Sequence, residues 1–150
     1  MVKGSLHKTM RVEIAQVNDA VHFVARNSQG CEVHIDGAEK IGGTNAGMRP
    51  MELMLVSLGT CAAMDLVTIL KKQRADLSKL SFVVEGDREP DAVPSPFTGF
   101  CLHFDLTGDL DKAKVQRAVD LAVSKYCSVG SMLQSSGPIS YDFTIHARES

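Results

Sequence analysis

A long apolar segment constrains the fold more than any other feature of the sequence. After Pro50, the residues from Met51 to about Arg74 read as one helix whose apolar side chains surround most of its circumference, which is typical of a buried helix. Glu52 and Asp65 place two acids inside this segment, and such charges disfavour a membrane span. Residues 50–74 are therefore predicted to form the central core helix of a water-soluble protein.

Strands are predicted on both sides of this helix. Residues 1–41 contain three short strands, and residues 80–147 contain two strands, two helices and a final strand. The predicted strands are Arg11–Val17, Val21–Arg26, Cys31–Ile35, Leu80–Glu85, Thr98–Gly108 and Ser140–His146, and the later helices lie between Asp111 and Gln134. This order favours an α+β fold with a mainly antiparallel sheet, and a length of 150 residues favours a single domain, 1–150.

The central helix needs more cover than one sheet provides. A helix that is apolar on every side must bury every side, whereas a sheet packs against only one. Burial against a second subunit is the simplest solution, so we predict a homodimer.

Composition excludes several classes of function. The chain is 44% apolar and carries a net charge of -2, so it is not a disordered chain, and nothing favours binding to nucleic acid or to an anionic membrane. The first residues, Met1 to Met10, lack the apolar core of a signal peptide. We therefore expect a cytoplasmic protein.

The four cysteines are Cys31, Cys61, Cys101 and Cys127, and none forms a CxxC pair, so neither a zinc ribbon nor a thioredoxin-type motif is present. Cys61 lies in the middle of the central helix. Cys127 lies at a predicted break before a short helix, where backbone N–H groups stabilise a thiolate. Both can equally be small core residues, because free cysteine is among the most buried residue types.

Two strands carry polar side chains that could be interpreted as a metal site. Alternation on a solvated sheet face produces the same pattern, and we favour that interpretation. The side chains concerned are Cys101, His103 and Asp105 on one strand and Glu32, His34 and Asp36 on another.

Two cysteine motifs resemble those of the OsmC/Ohr family (osmotically inducible protein C / organic hydroperoxide resistance). The first runs from Arg49-Pro50-Met51-Glu52-Leu53 to Leu58-Gly59-Thr60-Cys61, with the proline eleven residues before the cysteine, and the second is Lys125-Tyr126-Cys127-Ser128-Val129. The resemblance covers nearly the whole chain. It implies an OsmC-like fold, with an antiparallel sheet, a long buried central helix and an intertwined homodimer.

The resemblance also implies an activity, the thiol-dependent reduction of small apolar organic hydroperoxides in oxidative stress defence. Cys61 would then be the peroxidatic thiolate and Cys127 the resolving thiol. An external dithiol, lipoyl-type in the best-known members, would restore the pair, with no bound cofactor or metal. Cys31 and Cys101, on strands, are expected to be incidental.

The sequence departs from the family pattern at one position. Active members place a catalytic glutamate ten residues before the first cysteine, where this chain has Met51. Glu52 lies about 180° around the helix from Cys61. Asp65 follows Cys61 by one turn and would raise the pKa of a nearby thiol, so we expect it to form a structural hydrogen bond to another helix or to the partner subunit. The candidate substrate-binding residues are Met51, Glu52, Met54 and Asp65.

Two alternatives remain open. The first is a non-peroxidatic family member that binds a small apolar or electrophilic ligand in the dimer groove. The second treats every cysteine as a packing residue. The family also uses an arginine from the N-terminal strands; Arg11, Arg26 and Arg49 lie in or near that region, and none matches a motif well enough to be assigned.

Overall fold

The computed structural model describes residues 8–149, which form six strands and three α-helices. The strands are β1 (Glu13–Gln16), β2 (Phe23–Arg26), β3 (Glu32–Ile35), β4 (Asp76–Arg88), β5 (Phe97–Asp109) and β6 (Ile139–His146). The helices are α1 (Pro50–Lys72), α2 (Lys112–Leu121) and α3 (Ser128–Leu133). The chain separates into two compact units, Met1–Leu53 and Met54–Ser150. The predicted α+β class is confirmed.

The first unit contains an antiparallel meander in the order β1-β2-β3. Its strands are the three that the sequence predicts, each shortened to four residues. Asparagine side chains hold both turns: Asn18 Oδ1 accepts from the N–H groups of Ala20 and His22, and Asn27 Oδ1 accepts from those of Gln29 and Cys31. These local bonds compete with strand pairing and end the ladders early.

A buried carboxylate organises the loop between β3 and α1. Asp36 is 1% exposed, and it accepts backbone N–H groups from Gly37, Thr44 and Ala46 and the Thr44 hydroxyl. These hydrogen bonds hold the pKa of Asp36 well below its usual range. The sequence pattern placed Asp36 on a polar strand face, whereas the structure turns it inward as the anchor of this loop.

Helix α1 begins with a reciprocal cap. Pro50 occupies the first helical position, and Glu52 Oε1 accepts the backbone N–H of Arg49 at 2.9 Å, as the glutamate of a capping box does. Lys71 and Lys72 lie in the last turn, where cations oppose the negative end of the helix dipole. The predicted helix is therefore confirmed with almost unchanged ends.

Only part of the circumference of α1 is buried within this chain. The buried residues are Leu58, Gly59, Ala62, Ala63, Leu66 and Leu70. The exposed apolar residues are Met54, Val56, Met64 and Val67. Gly59 lies close to Phe82 and Val84 of β4, so the buried face packs on the second sheet.

The second sheet has the order β4-β5-β6. β4 and β5 are antiparallel over 13 residues each, and β5 and β6 are parallel. The sequence predicted a single, mainly antiparallel sheet, whereas the structure has two three-stranded sheets, the second of which contains one parallel strand pair. Two neighbouring strands can be parallel only if a crossover connects them. Here α2 and α3 form the crossover between β5 and β6, which allows the parallel pairing. The alternation predicted on β5 is confirmed, with Phe100, Leu102, Phe104 and Leu106 buried.

The crossover contains an irregular turn that the sequence does not predict. Asp111 caps α2 by accepting the N–H groups of Ala113 and Lys114, as expected, and a π-helical turn follows over Ala122–Tyr126. The wider turn rotates Tyr126 out of the apolar stripe, so this residue is exposed rather than buried. Gly130 was expected to interrupt the helix, but it lies inside α3.

Among residues 8–149, α1 is the one helix that is long and apolar enough to cross a membrane. Core helices of water-soluble proteins have the same properties. The residues of α1 that pack on the second sheet identify it as a core helix of this fold.

Candidate functional site

Cys61 lies near the middle of α1, where the helix packs on the second sheet. It is half-buried, and its helical neighbours Leu58 and Ala62 are fully buried. A position between the buried and the exposed faces of the helix leaves the thiol accessible while the backbone around it is fixed.

Cys127 occupies the N-cap of α3. Its backbone is extended, and its Sγ accepts the backbone N–H of Gly130 at 3.2 Å. The residue is only 4% exposed, and its Sγ lies 3.9 Å from the carbonyl oxygen of Leu58. The predicted position of this thiol at the start of the short helix is confirmed.

The two thiols that the sequence singles out lie side by side. Leu58, whose carbonyl contacts Cys127, precedes Cys61 by less than one turn of α1. The side chain of Cys61 is close enough to the Cys127 thiol to raise its pKa. Both cysteines are free thiols in this structure. The structure therefore joins residues from α1 and from the crossover in one candidate redox site.

Burial dominates the acidity of Cys127. Loss of solvent raises the pKa of its thiol to about 11, the Gly130 N–H lowers it, and the Cys61 side chain and the charge of Asp65 raise it further. The expected stabilisation of the Cys127 thiolate by a helix N-terminus is therefore present, but the burial of the thiol outweighs it. Cys127 is held as a protonated thiol at neutral pH.

Asp65 follows Cys61 by one turn of α1 and is half-buried. Its expected structural hydrogen bond is not found among residues 8–149. Its carboxylate instead lines a cavity between α1 and α2 and acts electrostatically on Cys127.

The other candidate substrate-binding residues lie near the start of α1. Met51 is half-buried, Met54 is 40% exposed, and Glu52 is exposed and engaged in the helix cap. The cap gives Glu52 a structural role.

The three arginines considered from the sequence have partners inside the first unit. Arg11 pairs with Glu13, and Arg26 with Glu32. Arg49 donates to the carbonyl oxygen of Asp36 and to the side chain of Asn45. These contacts stabilise the first sheet near the ends of its strands and the loop before α1.

The polar strand faces hold hydrogen-bonded pairs. His103 pairs with Asp142, and His146 Nε2 lies 2.8 Å from Asp105 Oδ1. Within residues 8–149, no group of three or more His, Cys, Asp and Glu side chains is arranged to hold a metal ion. Cys101 is an exposed thiol on β5, and Cys31, predicted to lie on a strand, is exposed just before β3 begins.

Gly130 is a residue of the site that sequence reasoning missed. Its N–H is the donor to Cys127 Sγ, and a side chain at this position would meet that sulfur at 3.3 Å. The available signal was the three-residue spacing from Cys127 to Gly130, which is the spacing of an N-cap to its hydrogen-bond donor.

Comparison with known proteins places this chain in one class. The family model described as OsmC-like protein matches residues 43–142. Protein YhfA of Escherichia coli (strain K12) is 36% identical over 133 residues, which cover 86% of this chain and 93% of that protein. The chain therefore belongs to the OsmC-like protein family.

Solved structures share the same fold. A hypothetical protein from Aquifex aeolicus VF5 is 27% identical with a TM-score of 0.82, over 95% of this chain and 100% of that one. The organic hydroperoxide resistance protein OhrB of Bacillus subtilis is 19% identical with a TM-score of 0.64, over 91% of this chain and 98% of that one. The fold expected from the two cysteine motifs is thus confirmed.

Proposed function

We propose that the protein reduces organic hydroperoxides through a sulfenate–disulfide cycle of Cys61 and Cys127. The observation that carries this proposal is the position of the Cys127 thiol, which is buried against α1 beside Cys61. A peroxidatic thiol needs a second thiol within reach. OhrB of Bacillus subtilis, which has the same fold, is named for organic hydroperoxide resistance.

The cycle balances with the two thiols and one external reductant. The Cys61 thiolate attacks the terminal oxygen of R–O–O–H, the O–O bond breaks, and the alkoxide takes a proton to leave as an alcohol. Cys61 is thereby oxidised to a sulfenic acid. The sulfur of Cys127 then bonds to that of Cys61 and water leaves. An external dithiol, of the lipoyl type implied by the family resemblance, reduces the disulfide and is itself oxidised.

The acidity of Cys127 fits the resolving role. Burial keeps its thiol protonated at neutral pH, and the thiolate is the nucleophile, so Cys127 is poorly suited to attack the peroxide itself. The substrate would be a small apolar hydroperoxide, and the cytoplasm is the compartment in which free thiols stay reduced. We therefore propose a role in oxidative stress defence there.

The direct test is a thiol count after oxidation. Reduced protein is mixed with excess cumene hydroperoxide, quenched in acid and alkylated, and its thiols are counted by mass spectrometry. We expect loss of the Cys61 and Cys127 thiols with formation of one disulfide. In Cys127→Ser, dimedone should trap a sulfenic acid at Cys61, whereas Cys61→Ser should not react rapidly.

Matched controls come from the exposed cysteines of the same chain. Cys31→Ser and Cys101→Ser should oxidise as the wild type does, because both positions are exposed and lie outside the candidate redox site. If Cys61 and Cys127 both remain thiols under excess peroxide, the peroxidase proposal is wrong.

A second candidate function follows from the start of α1. Met51 stands where the family has its glutamate, and Glu52 is engaged in the helix cap. These facts favour a non-peroxidatic member that binds a small apolar or electrophilic ligand. Native mass spectrometry of the purified protein would then show a bound small molecule together with slow oxidation of Cys61. Rapid disulfide formation without a ligand would contradict this alternative.

We also propose that the functional unit is a homodimer. Val56, Met64 and Val67 leave an apolar stripe along α1 exposed, and Met64 is 70% exposed. Met64 and Val67, together with Phe82, border an apolar depression of about 420 Å³. A second copy of the chain would present the same stripe, and self-complementary faces of this kind are typical of two-fold dimers.

The test is sedimentation of the wild type and two variants. The wild type should sediment at twice 16.2 kDa, and Met64→Glu should shift it towards the monomer. Met132→Glu is the matched control, because Met132 is 78% exposed and lies on α3. A monomeric wild type at micromolar concentration would contradict the dimer.

A further inference from the structure

A large cavity lies beside the redox site, between the second half of α1 and the crossover. Its volume is about 600 Å³, which is within the range of small-molecule sites. Asp65 and Tyr126 both line it. Asp65 follows Cys61 by one helical turn, and Tyr126 precedes Cys127 in the chain. The cavity lining therefore comes within one helical turn of Cys61 along α1 and within one residue of Cys127 along the chain, although neither cysteine lines the cavity itself.

The cavity wall is rich in unpaired positive charge. Lys72 of α1 and Lys114 and Arg117 of α2 line it. Among residues 8–149, none of these three side chains forms an ion pair with a carboxylate. Three cations from two helices that meet at one opening attract a ligand with one or more carboxylates.

The same cavity offers acceptors for a positively charged group. The carboxylate of Asp65 has no hydrogen-bond or ion-pair partner in the described part of the chain. Gln73 also lines the cavity, and its buried Oε1 is without a hydrogen-bond partner among the described residues. A buried acceptor without a donor is destabilising unless a ligand or water supplies one.

We propose that this cavity binds a zwitterionic, carboxylate-bearing thiol, such as a small cysteine-containing peptide, as a reductant of the Cys61–Cys127 disulfide. The inference rests on the proposed function and gives the site a class of reductant besides the neutral lipoyl dithiol. Lys72, Lys114 and Arg117 hold the carboxylates.

The ammonium group of the ligand donates to Asp65 and to Gln73 Oε1. With its charged groups held in this way, the thiol of the ligand is directed towards Cys61, the less buried of the two cysteines.

The reaction is thiol–disulfide exchange. The ligand thiolate attacks the sulfur of Cys61, the Cys61–Cys127 bond breaks, and Cys127 leaves as a thiolate that accepts the Gly130 N–H. A second ligand thiol attacks the mixed disulfide and releases Cys61. Two ligand thiols are oxidised to one disulfide, and the two protein sulfurs take up the two protons.

The first experiment measures binding without redox chemistry. The reduced protein is titrated with S-methylglutathione, which has the carboxylates and the ammonium group but no thiol, and binding is followed by calorimetry. Arg117→Gln should weaken binding by about tenfold, the effect of one charge-assisted hydrogen bond. Lys112→Gln is the control, because Lys112 is exposed on α2 and does not line the cavity. Absence of binding, or equal binding by Arg117→Gln, overturns the proposal.

The second experiment measures reduction. The disulfide is formed with diamide, so that no peroxide is needed, and its reduction by glutathione or by dihydrolipoamide is timed by alkylation and mass spectrometry. Arg117→Gln should slow reduction by glutathione by about tenfold and leave reduction by dihydrolipoamide unchanged. Added salt should slow only the glutathione reaction. Equal slowing of both thiols, or no slowing of either, overturns the proposal.

The two proposals fail in distinguishable ways. If cumene hydroperoxide does not oxidise Cys61 while S-methylglutathione binds and glutathione reduces the diamide-formed disulfide, the peroxidase function is wrong and the cavity assignment stands. If Arg117→Gln instead slows oxidation by a carboxylate-bearing hydroperoxide and leaves reduction by glutathione unchanged, the cavity binds the oxidant and the reductant assignment is wrong.

Discussion

The thiol of Cys127 lies 3.9 Å from the carbonyl oxygen of Leu58 on α1. Leu58 is fully buried, so this contact places the sulfur inside the packed face of the helix. The depth of Cys127 is thus set by the packing of α1 on the second sheet. Changes that move α1 should change the redox site without touching either thiol.

The first prediction concerns stability at alkaline pH. The pKa of Cys127 is raised from 9.0 to about 11 in the folded state, chiefly by burial, so above pH 9 the unfolded chain binds fewer protons than the folded one. The wild type should lose stability as the pH rises from 9 towards 11. Urea unfolding of the wild type and of Cys127→Ala should show this loss only when Cys127 is present. Parallel pH profiles for the two proteins would contradict the burial of this thiol.

The second prediction concerns the approach of α1 to the sheet. A Cβ at Gly59 would lie 2.7 Å from the ring of Phe82 and 2.6 Å from Val84 Cγ2. Overpacking of this kind costs about 1–3 kcal/mol, against a gain of up to about 1 kcal/mol in helix propensity. Gly59→Ala should therefore lower the free energy of unfolding by roughly 1 kcal/mol and change the rate of Cys61 oxidation.

The matched control for Gly59→Ala is Gly99→Ala. A Cβ at Gly99 would lie 3.8 Å from the carbonyl oxygen of Pro138, an ordinary van der Waals distance, so it fits without displacement. The two variants are compared by urea unfolding. If they are equally stable, α1 does not approach β4 as closely as described.

The third prediction concerns the loop before α1. Asp36→Asn replaces one of two accepting oxygens with an amide that faces the N–H groups of Thr44 and Ala46. The melting temperature should fall, whereas the exposed Asp19→Asn should leave it unchanged. Because the pKa of Asp36 is lowered in the folded state, the contribution of its carboxylate is present at neutral pH and is lost only as the pH falls through that depressed value. A variant as stable as the wild type would show that the loop does not need the carboxylate.

The fourth prediction concerns the parallel β5–β6 pair. The hydrogen bond to Asp142 raises the pKa of His103 above 6.5, and the charge of Asp105 adds to it. The stabilisation is therefore complete below pH 6.5 and is lost as the pH rises through the raised value. Asp142→Asn should flatten the pH dependence of the melting temperature in this range, whereas the exposed Asp91→Asn should not. Identical profiles would mean that the pair contributes nothing to stability.

Local sequence patterns predicted the helices and strands, because the alternation and capping that define them involve residues close together in the chain. The alternation of Phe100 and Leu102 predicted β5, and the carboxylate of Asp111 predicted the start of α2. The family motifs predicted which cysteines lie together, and the structure brings Cys61 and Cys127 side by side.

Long-range relations could not be predicted in this way. The parallel pairing of β5 with β6 joins strands separated by the whole crossover. The π-helical turn over Ala122–Tyr126, beside which Tyr126 is exposed, has no signal in the local sequence pattern. Lys72 and Arg117 meet at one cavity only because two helices pack together. In the sequence each of these residues is an ordinary surface cation.

The crossover also has a consequence for the newly made chain. Its last turns are tied to β6, because the Tyr141 hydroxyl donates to Asp120 at 2.9 Å and lies 3.1 Å from the Ser124 hydroxyl. We therefore expect Cys127 to reach its final position only after β6 has been synthesised and has docked beside β5. Such non-local contacts form late. Until then Cys61 and Cys127 would not be adjacent. An oxidant that reached the growing chain could therefore not join them in a disulfide.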